Sequence, residues 1–172
     1  HGADEYPFVI GTRGIAVFPI TTAKLDHQVR DERISTGIEG LDEMFGGLGY
    51  FRGASVMAAG KAGTGKSTLS AAFAKAACER GETVLYLAFE ESPDQIIRNM
   101  RSVNIDLQPC REQGLLHIDA FRPSLRGLEE HLIKINELVR TIEPECVVID
   151  PLSGLTEIGT QKEVKAMLTR TM

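Results

Sequence analysis

Tryptophan is missing from this sequence, aromatic residues make up only 6% of it, and Lys and Arg are outnumbered by Asp and Glu, 19 to 24. The net charge of −5 argues against a general nucleic-acid-binding protein, which usually carries a basic excess or a basic stripe. No apolar run approaches the roughly 20 residues that a membrane-spanning helix needs. The first residues also lack the basic and apolar segments of a signal peptide. We therefore expect a cytoplasmic protein without membrane contact.

Cysteine and histidine are scarce and scattered along the chain. The three cysteines, Cys78, Cys110 and Cys146, are odd in number, and their spacing fits no metal site. We interpret them as free thiols of a reducing compartment. The four histidines are too dispersed in the sequence to indicate a set of metal ligands.

The 172 residues are enough for about one domain, and their 42% apolar and 25% charged content is typical of a globular protein. Residues 6–10 and 15–20 are short apolar segments on either side of a glycine-containing turn, which predicts a β-hairpin. Residues 21–35 are polar and charged, as is typical of a linker. We place a domain boundary near residue 35.

The rest of the chain alternates between predicted strands and helices. The predicted strands are residues 54–59, 83–89, 115–120 and 146–150. The predicted helices are residues 66–80, 93–101 and 125–142, and the last has apolar residues at intervals of three and four. This alternation predicts an α/β fold with a mainly parallel sheet that helices cover on both faces.

Two apolar stripes predict which helix faces are buried. A short helix that ends at Gly46 is expected to turn three residues toward a core: Leu41, Met44 and Phe45. In the helix of residues 66–80, which Gly81 ends, the stripe consists of Leu69, Phe73 and Ala76.

A phosphate-binding loop carries the clearest chemistry. Residues 60–67 fit the pattern G-x-x-x-x-G-K-[ST], which lies here between a predicted strand and a predicted helix. Its glycines let successive backbone N–H groups point at phosphate oxygens, and the positive end of the helix dipole adds to the attraction. Lys66 can reach the β- and γ-phosphates, and the Ser67 hydroxyl can bind Mg²⁺. The predicted ATP contacts in the loop are Gly60, Ala62, Gly63, Thr64, Gly65, Lys66 and Ser67.

Acidic residues follow two of the predicted strands. Asp150 closes the strand of residues 146–150, and the carboxyl edge of an open α/β sheet is where ligands bind. A carboxylate there can support Mg²⁺ through water. Glu90 and Glu91 follow the strand of residues 83–89, where one of them can polarise an attacking water. Alternatively, they are exposed loop acids or a pair that the dipole of the next helix favours.

Several runs resemble a known family. Ile34-Ser35-Thr36-Gly37-Ile38, Leu41-Asp42 and Gly46-Gly47, followed by the phosphate loop, resemble RecA-like ATPases in general. Phe89-Glu90-Glu91-Ser92 with Gln95, Arg98 and Asn99 is similar to the KaiC family more narrowly. The N-terminal run Glu5-Tyr6-Pro7-Phe8, with Gly14-Ile15 and Phe18-Pro19, is similar to the same family.

The resemblance implies tandem RecA-like domains in a hexameric ring of identical subunits. ATP would bind between neighbouring subunits and be hydrolysed, and the second domain of the clock members also phosphorylates its own Ser and Thr. Clock or signalling proteins are then possible partners. Residues 1–22 would end a first domain, residues 23–36 would be the linker, and residues 37–172 would begin the second domain.

The resemblance also implies roles for single residues. Glu90 resembles a carboxylate associated with Mg²⁺, and Glu91 resembles the catalytic base, so that the predicted metal-associated set is Ser67, Glu90 and Asp150. Thr68 and Val103 match nucleotide-contact positions, and the clock members carry tryptophan at the position of Val103.

The chain is expected to be truncated at its C-terminus. In this fold class, one strand lies in the sheet between the phosphate-loop strand and the Asp150 strand. This middle strand comes after the Asp150 strand in sequence, so it would lie beyond Met172. We therefore expect a gap in the sheet, with Val56 and Val148 not on directly hydrogen-bonded strands. The phosphoacceptor Ser and Thr would also lie outside the chain.

Three functions remain open from the residues and the resemblance together. The first is an ATPase and serine/threonine autokinase of the KaiC type, with Lys66, Glu90 and Glu91 in the catalytic site. The second is a DNA-dependent ATPase similar to RecA and RadA, against which the acidic charge argues. The third is a non-catalytic module in which nucleotide only holds a ring together.

Overall fold

The structure, a computed structural model, describes residues 8–11, 14–17, 31–121 and 128–156. Its strands are β1 (Phe8–Gly11), β2 (Gly14–Val17), β3 (Arg33–Ile34), β4 (Tyr50–Phe51), β5 (Val84–Ala88), β6 (Leu116–Ala120) and β7 (Cys146–Asp150). Its helices are α1 (Glu39–Met44), α2 (Lys66–Glu79), α3 (Pro93–Arg101), α4 (Gln108–Glu112), α5 (Leu128–Ile142) and α6 (Ser153–Thr156). Predictions for residues 1–7, 12–13, 18–30, 122–127 and 157–172 lie outside the described residues.

Three parallel strands form the central sheet, in the order β6-β5-β7. All five residues of β5 are buried, as expected for the middle strand of a sheet that is covered on both faces. The register pairs Val84 with Cys146 and Ala88 with Asp150, so β5 and β7 end at the same edge. The predicted parallel α/β sheet is confirmed, and its three strands lie where the apolar runs predicted them.

Helices cover both faces of this sheet. Alternate residues of β5 point to opposite faces. On one face, Tyr86 and its neighbours two residues away pack with α2, α3 and α4, in a cluster that includes Ala74, Ile97 and Leu107. On the other face, Leu85 and Leu87 pack with Leu132 and Ile135 of α5. The apolar stripe predicted for α5 therefore faces the sheet, as expected.

Helix α2 begins at the predicted residue and ends one residue earlier than predicted, and its buried face differs from the predicted stripe. Ala71, Ala74 and Ala77 are completely buried, whereas Leu69 and Phe73 are only partly buried. Small side chains let the helix backbone approach the sheet closely, which bulky side chains at the same positions would prevent. Phe73 packs instead against Tyr50 of β4, with their ring centroids 5.7 Å apart.

The prediction that α1 turns an apolar face to a core is wrong. None of its residues is buried, and Met44 is 81% exposed. Polar contacts position this short helix instead, because Asp42 accepts hydrogen bonds from the backbone N–H and the hydroxyl of Thr36, at 2.8 Å and 2.6 Å. Phe45, just after the helix, is 43% exposed and lies edge-on against Tyr50.

The predicted strand of residues 54–59 is also absent. This segment forms no strand, all of its residues are exposed, and Met57 is 76% exposed. A strand needs hydrogen-bonding partners beside it, and none of the described strands pairs with this segment. In the described part of the chain β7 pairs only with β5, so Val56 and Val148 are not on directly hydrogen-bonded strands, as we expected.

Smaller features complete the fold. Strands β1 and β2 pair antiparallel with Gly11 opposite Gly14, which confirms the predicted hairpin over these residues. The three cysteines are free thiols. His131 is buried, and its ring lies edge-on against Phe121 at 5.4 Å between centroids, which is a core position. None of the described helices is long and apolar enough to cross a membrane.

Candidate functional site

The phosphate loop leads directly into the N-terminus of α2. Gly63 and Gly65 have φ angles of +78° and +83°, in the left-handed region that favours glycine, and Gly65 immediately precedes the helix. At Gly60 a Cβ would lie only 2.6 Å from the Thr64 hydroxyl, so a side chain there would displace the loop. The loop therefore has the tight backbone that a phosphate cradle requires, at the positive end of a helix of 14 residues.

Lys66 folds back over the loop in this structure. Its ammonium nitrogen donates to the carbonyl oxygens of Gly60 and Lys61, at 2.9 Å and 2.8 Å. These contacts hold the charge above the loop, where the pattern predicts the phosphates. The ammonium group has three protons and can rotate on its flexible stem, so it can exchange a carbonyl contact for a phosphate oxygen.

The sheet edge brings Ser67 and Asp150 together. The Ser67 hydroxyl, in the first turn of α2, donates to Asp150 Oδ1 at 3.2 Å, although 83 residues separate the two in sequence. The second carboxylate oxygen, Oδ2, accepts a hydrogen bond of 2.5 Å from the Tyr86 hydroxyl. Ser67 and Asp150 were predicted from the sequence as site residues, whereas Tyr86 was not.

The environment of Tyr86 keeps its hydroxyl protonated. Burial raises the pKa of Tyr86 well above its ordinary value, and the hydrogen bond to Asp150 and the charges of Asp150 and Glu91 raise it further. The group is therefore a hydrogen-bond donor at every physiological pH. A tyrosine in an otherwise apolar, buried strand was the available signal, since a buried Tyr hydroxyl usually has a polar partner.

The two glutamates after β5 lie at the same edge of the sheet but differ in environment. The backbone N–H of Phe89 donates to the Asp150 carbonyl at 3.0 Å, which keeps the chain beside β7 immediately before Glu90. Glu90 is exposed, whereas Glu91 is partly buried, and its Oε1 accepts a hydrogen bond of 2.8 Å from Asn99 Nδ2.

A capping box fixes the connection between Glu91 and α3. The Ser92 hydroxyl accepts from the backbone N–H of Gln95, and Gln95 Oε1 accepts from the backbone N–H of Ser92 at 2.8 Å. The helix thus begins directly after Glu91, and two turns later it presents Asn99 to that carboxylate. The amide oxygen of Asn99 in turn accepts from Arg98 Nη2 at 3.2 Å. The sequence runs contained Asn99, but no spacing argument predicted this contact.

Two further residues were predicted to contact the nucleotide, Thr68 and Val103. Thr68 follows Ser67 in the first turn of α2 and is partly buried. Val103 lies in the turn after α3 and is 49% exposed, which leaves its side chain available to a ligand.

The donor set suits Mg²⁺ bound together with a nucleotide. The described residues contain no group of three or more His, Cys, Asp or Glu that could hold a metal ion by itself. Mg²⁺ usually takes one or two protein carboxylates, with phosphate and water oxygens as its other ligands. The hydroxyl of Ser67 and the carboxylate of Asp150, in mutual contact beside the loop, fit that requirement.

Comparisons with known proteins identify the family. The family profile described as "ATPase: KaiC" matches residues 34–172. The chain is 52% identical over 170 residues to "Circadian clock protein KaiC2" of a Synechocystis species, covering 99% of this chain and 30% of that protein. It is 37% identical over 187 positions to "Circadian clock oscillator protein KaiC" of Parathermosynechococcus lividus, covering 99% of this chain and 34% of that protein. The chain thus spans about a third of the length of these curated relatives. It belongs to the KaiC family of RecA-like ATPases, and this membership implies that it binds nucleotide.

Proposed function

We propose that the chain binds ATP with Mg²⁺ at the phosphate loop and that the protein hydrolyses this ATP. The observation that carries the proposal is the 3.2 Å hydrogen bond between the Ser67 hydroxyl and Asp150 Oδ1. It joins the first turn of α2 to the end of β7 and so puts a hydroxyl and a carboxylate beside the loop. P-loop NTPases use these two groups to hold Mg²⁺.

The roles of the other residues follow from their positions. The backbone N–H groups of the loop and the Lys66 ammonium would bind and neutralise the phosphates. Bound Mg²⁺ would supply further positive charge at the phosphates. Glu91 would accept a proton from the attacking water, a contribution typically of about 10²–10⁴ in rate. Glu90 would be the second acid near the metal, and Thr68 and Val103 would contact the nucleotide.

We further propose that the protein assembles as a ring of identical subunits and phosphorylates its own Ser and Thr. The similarity to two proteins described as circadian clock proteins supports this proposal. Residues 37–172 would belong to an ATPase domain, residues 1–22 to a preceding one and residues 23–36 to the linker. Clock or signalling proteins would be its partners.

The nucleotide site is tested by replacing Lys66 with Ala and titrating a fluorescent ATP analogue in the presence of Mg²⁺. A charge-assisted contact is worth about 1.5–3 kcal/mol, so we expect affinity to fall by about 10- to 100-fold. Lys75→Ala is the matched control, because Lys75 lies on the same helix and is partly exposed, with an ion pair of 3.3 Å to Glu79. Equal losses of affinity in Lys66→Ala and Lys75→Ala would show that lysine charge attracts the ATP analogue nonspecifically, and this result would contradict the proposal.

A further inference from the structure

The central strand of the sheet carries one buried hydroxyl among apolar side chains. In β5, Val84, Leu85, Leu87 and Ala88 are at most 1% exposed, and Tyr86 between them is also 1% exposed. A phenylalanine would fill the same space without a polar atom to satisfy. The tyrosine hydroxyl instead makes a hydrogen bond of 2.5 Å with Asp150 Oδ2.

The register of the sheet explains how this contact forms. Tyr86 is paired with Val148, and Asp150 lies two residues farther along β7. Residues two apart on a strand point to the same face, so Tyr86 and Asp150 are diagonal neighbours on the face that α2 covers. The long tyrosine side chain spans this diagonal toward the carboxyl edge, where the phosphate loop lies.

The two oxygens of Asp150 are thereby divided between two donors. Tyr86 holds Oδ2 from within the core, and Ser67 holds Oδ1 from the first turn of α2. The hydroxyl on Oδ2 fixes the rotation of the carboxylate about its last bond. Oδ1 then stays on the side of Ser67, where we place the Mg²⁺–nucleotide.

We propose that Tyr86 is a positioning residue, whose hydroxyl orients the Asp150 carboxylate for Mg²⁺ and so raises the affinity of the site for Mg²⁺–nucleotide. The inference rests on the proposed function, since it assigns Asp150 to the metal. Partners of metal-supporting groups typically change metal affinity by about 10- to 100-fold when they are removed. Tyr86 touches neither nucleotide nor metal in this scheme and acts only through Asp150.

The test compares Tyr86→Phe with Tyr50→Phe, which also removes a tyrosine hydroxyl but lies in β4, where its ring packs with Phe45 and Phe73. ATP binding is titrated at increasing Mg²⁺ and, separately, in EDTA. For Tyr86→Phe we expect the Mg²⁺ concentration at half-maximal binding to rise about 10-fold, while affinity in EDTA stays unchanged. Tyr50→Phe is expected to match the wild-type chain in both titrations.

Two results for Tyr86→Phe would overturn the role of Tyr86. One is an unchanged Mg²⁺ requirement for ATP binding. The other is an equal loss of ATP affinity with Mg²⁺ and in EDTA, which indicates a structural role only. They differ from a failure of the proposed function, in which the wild-type chain itself shows no Mg²⁺-dependent ATP binding.

A second measurement avoids any folding defect of Tyr86→Phe. The sequence has three tyrosines and no tryptophan, so replacing Tyr6 and Tyr50 with Phe leaves Tyr86 as the single tyrosine, which can be excited at wavelengths where phenylalanine does not absorb. Addition of Mg²⁺ to the ATP complex is expected to change the emission of Tyr86, because the Asp150 carboxylate that accepts a hydrogen bond from its hydroxyl then also interacts with Mg²⁺. An emission that is insensitive to Mg²⁺ while ATP binding responds would contradict the proposal.

Discussion

The orientation of the Glu91 carboxylate depends on Asn99, whose Nδ2 donates to Oε1 at 2.8 Å. If Glu91 accepts a proton from water, this hydrogen bond helps to set the direction in which the carboxylate points. A hydrogen bond to a charged group contributes about 1.5–3 kcal/mol, and its loss leaves the side chain free to rotate. Asn99 would therefore affect turnover without touching ATP.

We predict that Asn99→Leu lowers kcat about 10-fold and leaves the affinity for Mg²⁺–ATP unchanged. Phosphate release gives the rate, and an equilibrium titration gives the affinity. Asn136→Leu is the control, because Asn136 also donates through its amide but to the Leu132 carbonyl within α5, at 2.9 Å. If Asn99→Leu weakens ATP binding as strongly as it slows turnover, the residue supports the site as a whole rather than Glu91.

At the scale of single residues, the loop glycines, Lys66 and Ser67 could be predicted because their chemistry depends on spacing along the chain. Asp150 could be predicted because it ends a strand. The partner of Tyr86 could not, because it is 64 residues away and the register of the sheet decides which side chains meet.

Between secondary-structure elements, three thiols meet in the core below α2. Cys78 lies in the last turn of α2, Cys110 lies in α4 and Cys146 begins β7, and all three belong to one apolar cluster. Burial, with the nearby Cys110 thiol as the second cause, raises the pKa of Cys78 from 9.0 to about 12. Burial likewise raises the pKa of Cys146 from 9.0 to about 11.

We predict that Cys78 and Cys146 resist iodoacetamide at neutral pH in the folded chain, because the thiolate is the reactive form. The raised pKa means that the folded chain holds these protons more tightly than the unfolded chain. This contribution to stability is complete below pH 9.0 and is lost as the pH rises toward about 12. Peptide mass spectrometry before and after unfolding in urea checks the labelling; rapid labelling of Cys78 in the folded chain at neutral pH would be inconsistent with its burial.

The helices and strands were predictable to different degrees. Capping signals and sustained periodicity are local, so α3 and α5 were predicted correctly. On α2 the predicted stripe was wrong at Leu69 and Phe73, although Ala76 is buried as predicted, because burial there follows small size and close approach rather than hydrophobicity. The run of residues 54–59 reads as a strand, but strand formation also needs a neighbour, which no local pattern supplies.

For the whole molecule, the question is where the γ-phosphate goes. We predict that the protein, incubated with γ-labelled ATP and Mg²⁺, releases labelled phosphate and also retains label on its own Ser or Thr. Glu91→Gln is expected to reduce the released label by at least about 100-fold if Glu91 is the base.

The other functions would give different results in the same assay. Label in free phosphate alone would indicate an ATPase without autokinase activity. Neither product, despite ATP binding, would indicate a non-catalytic nucleotide module. A DNA-dependent ATPase would show turnover that rises with DNA and a DNA affinity that falls with salt, which the net charge of −5 disfavours.

Features that depend on residues close together in the chain could be predicted without the structure. These are the phosphate loop, the alternation of strands and helices, and the runs that resemble the KaiC family. The tertiary structure was needed to show which distant groups meet: the hydroxyls of Ser67 and Tyr86 on the two oxygens of Asp150. The physical reason is that local conformation follows from neighbouring residues, whereas these contacts depend on strand register and on how closely α2 packs on the sheet.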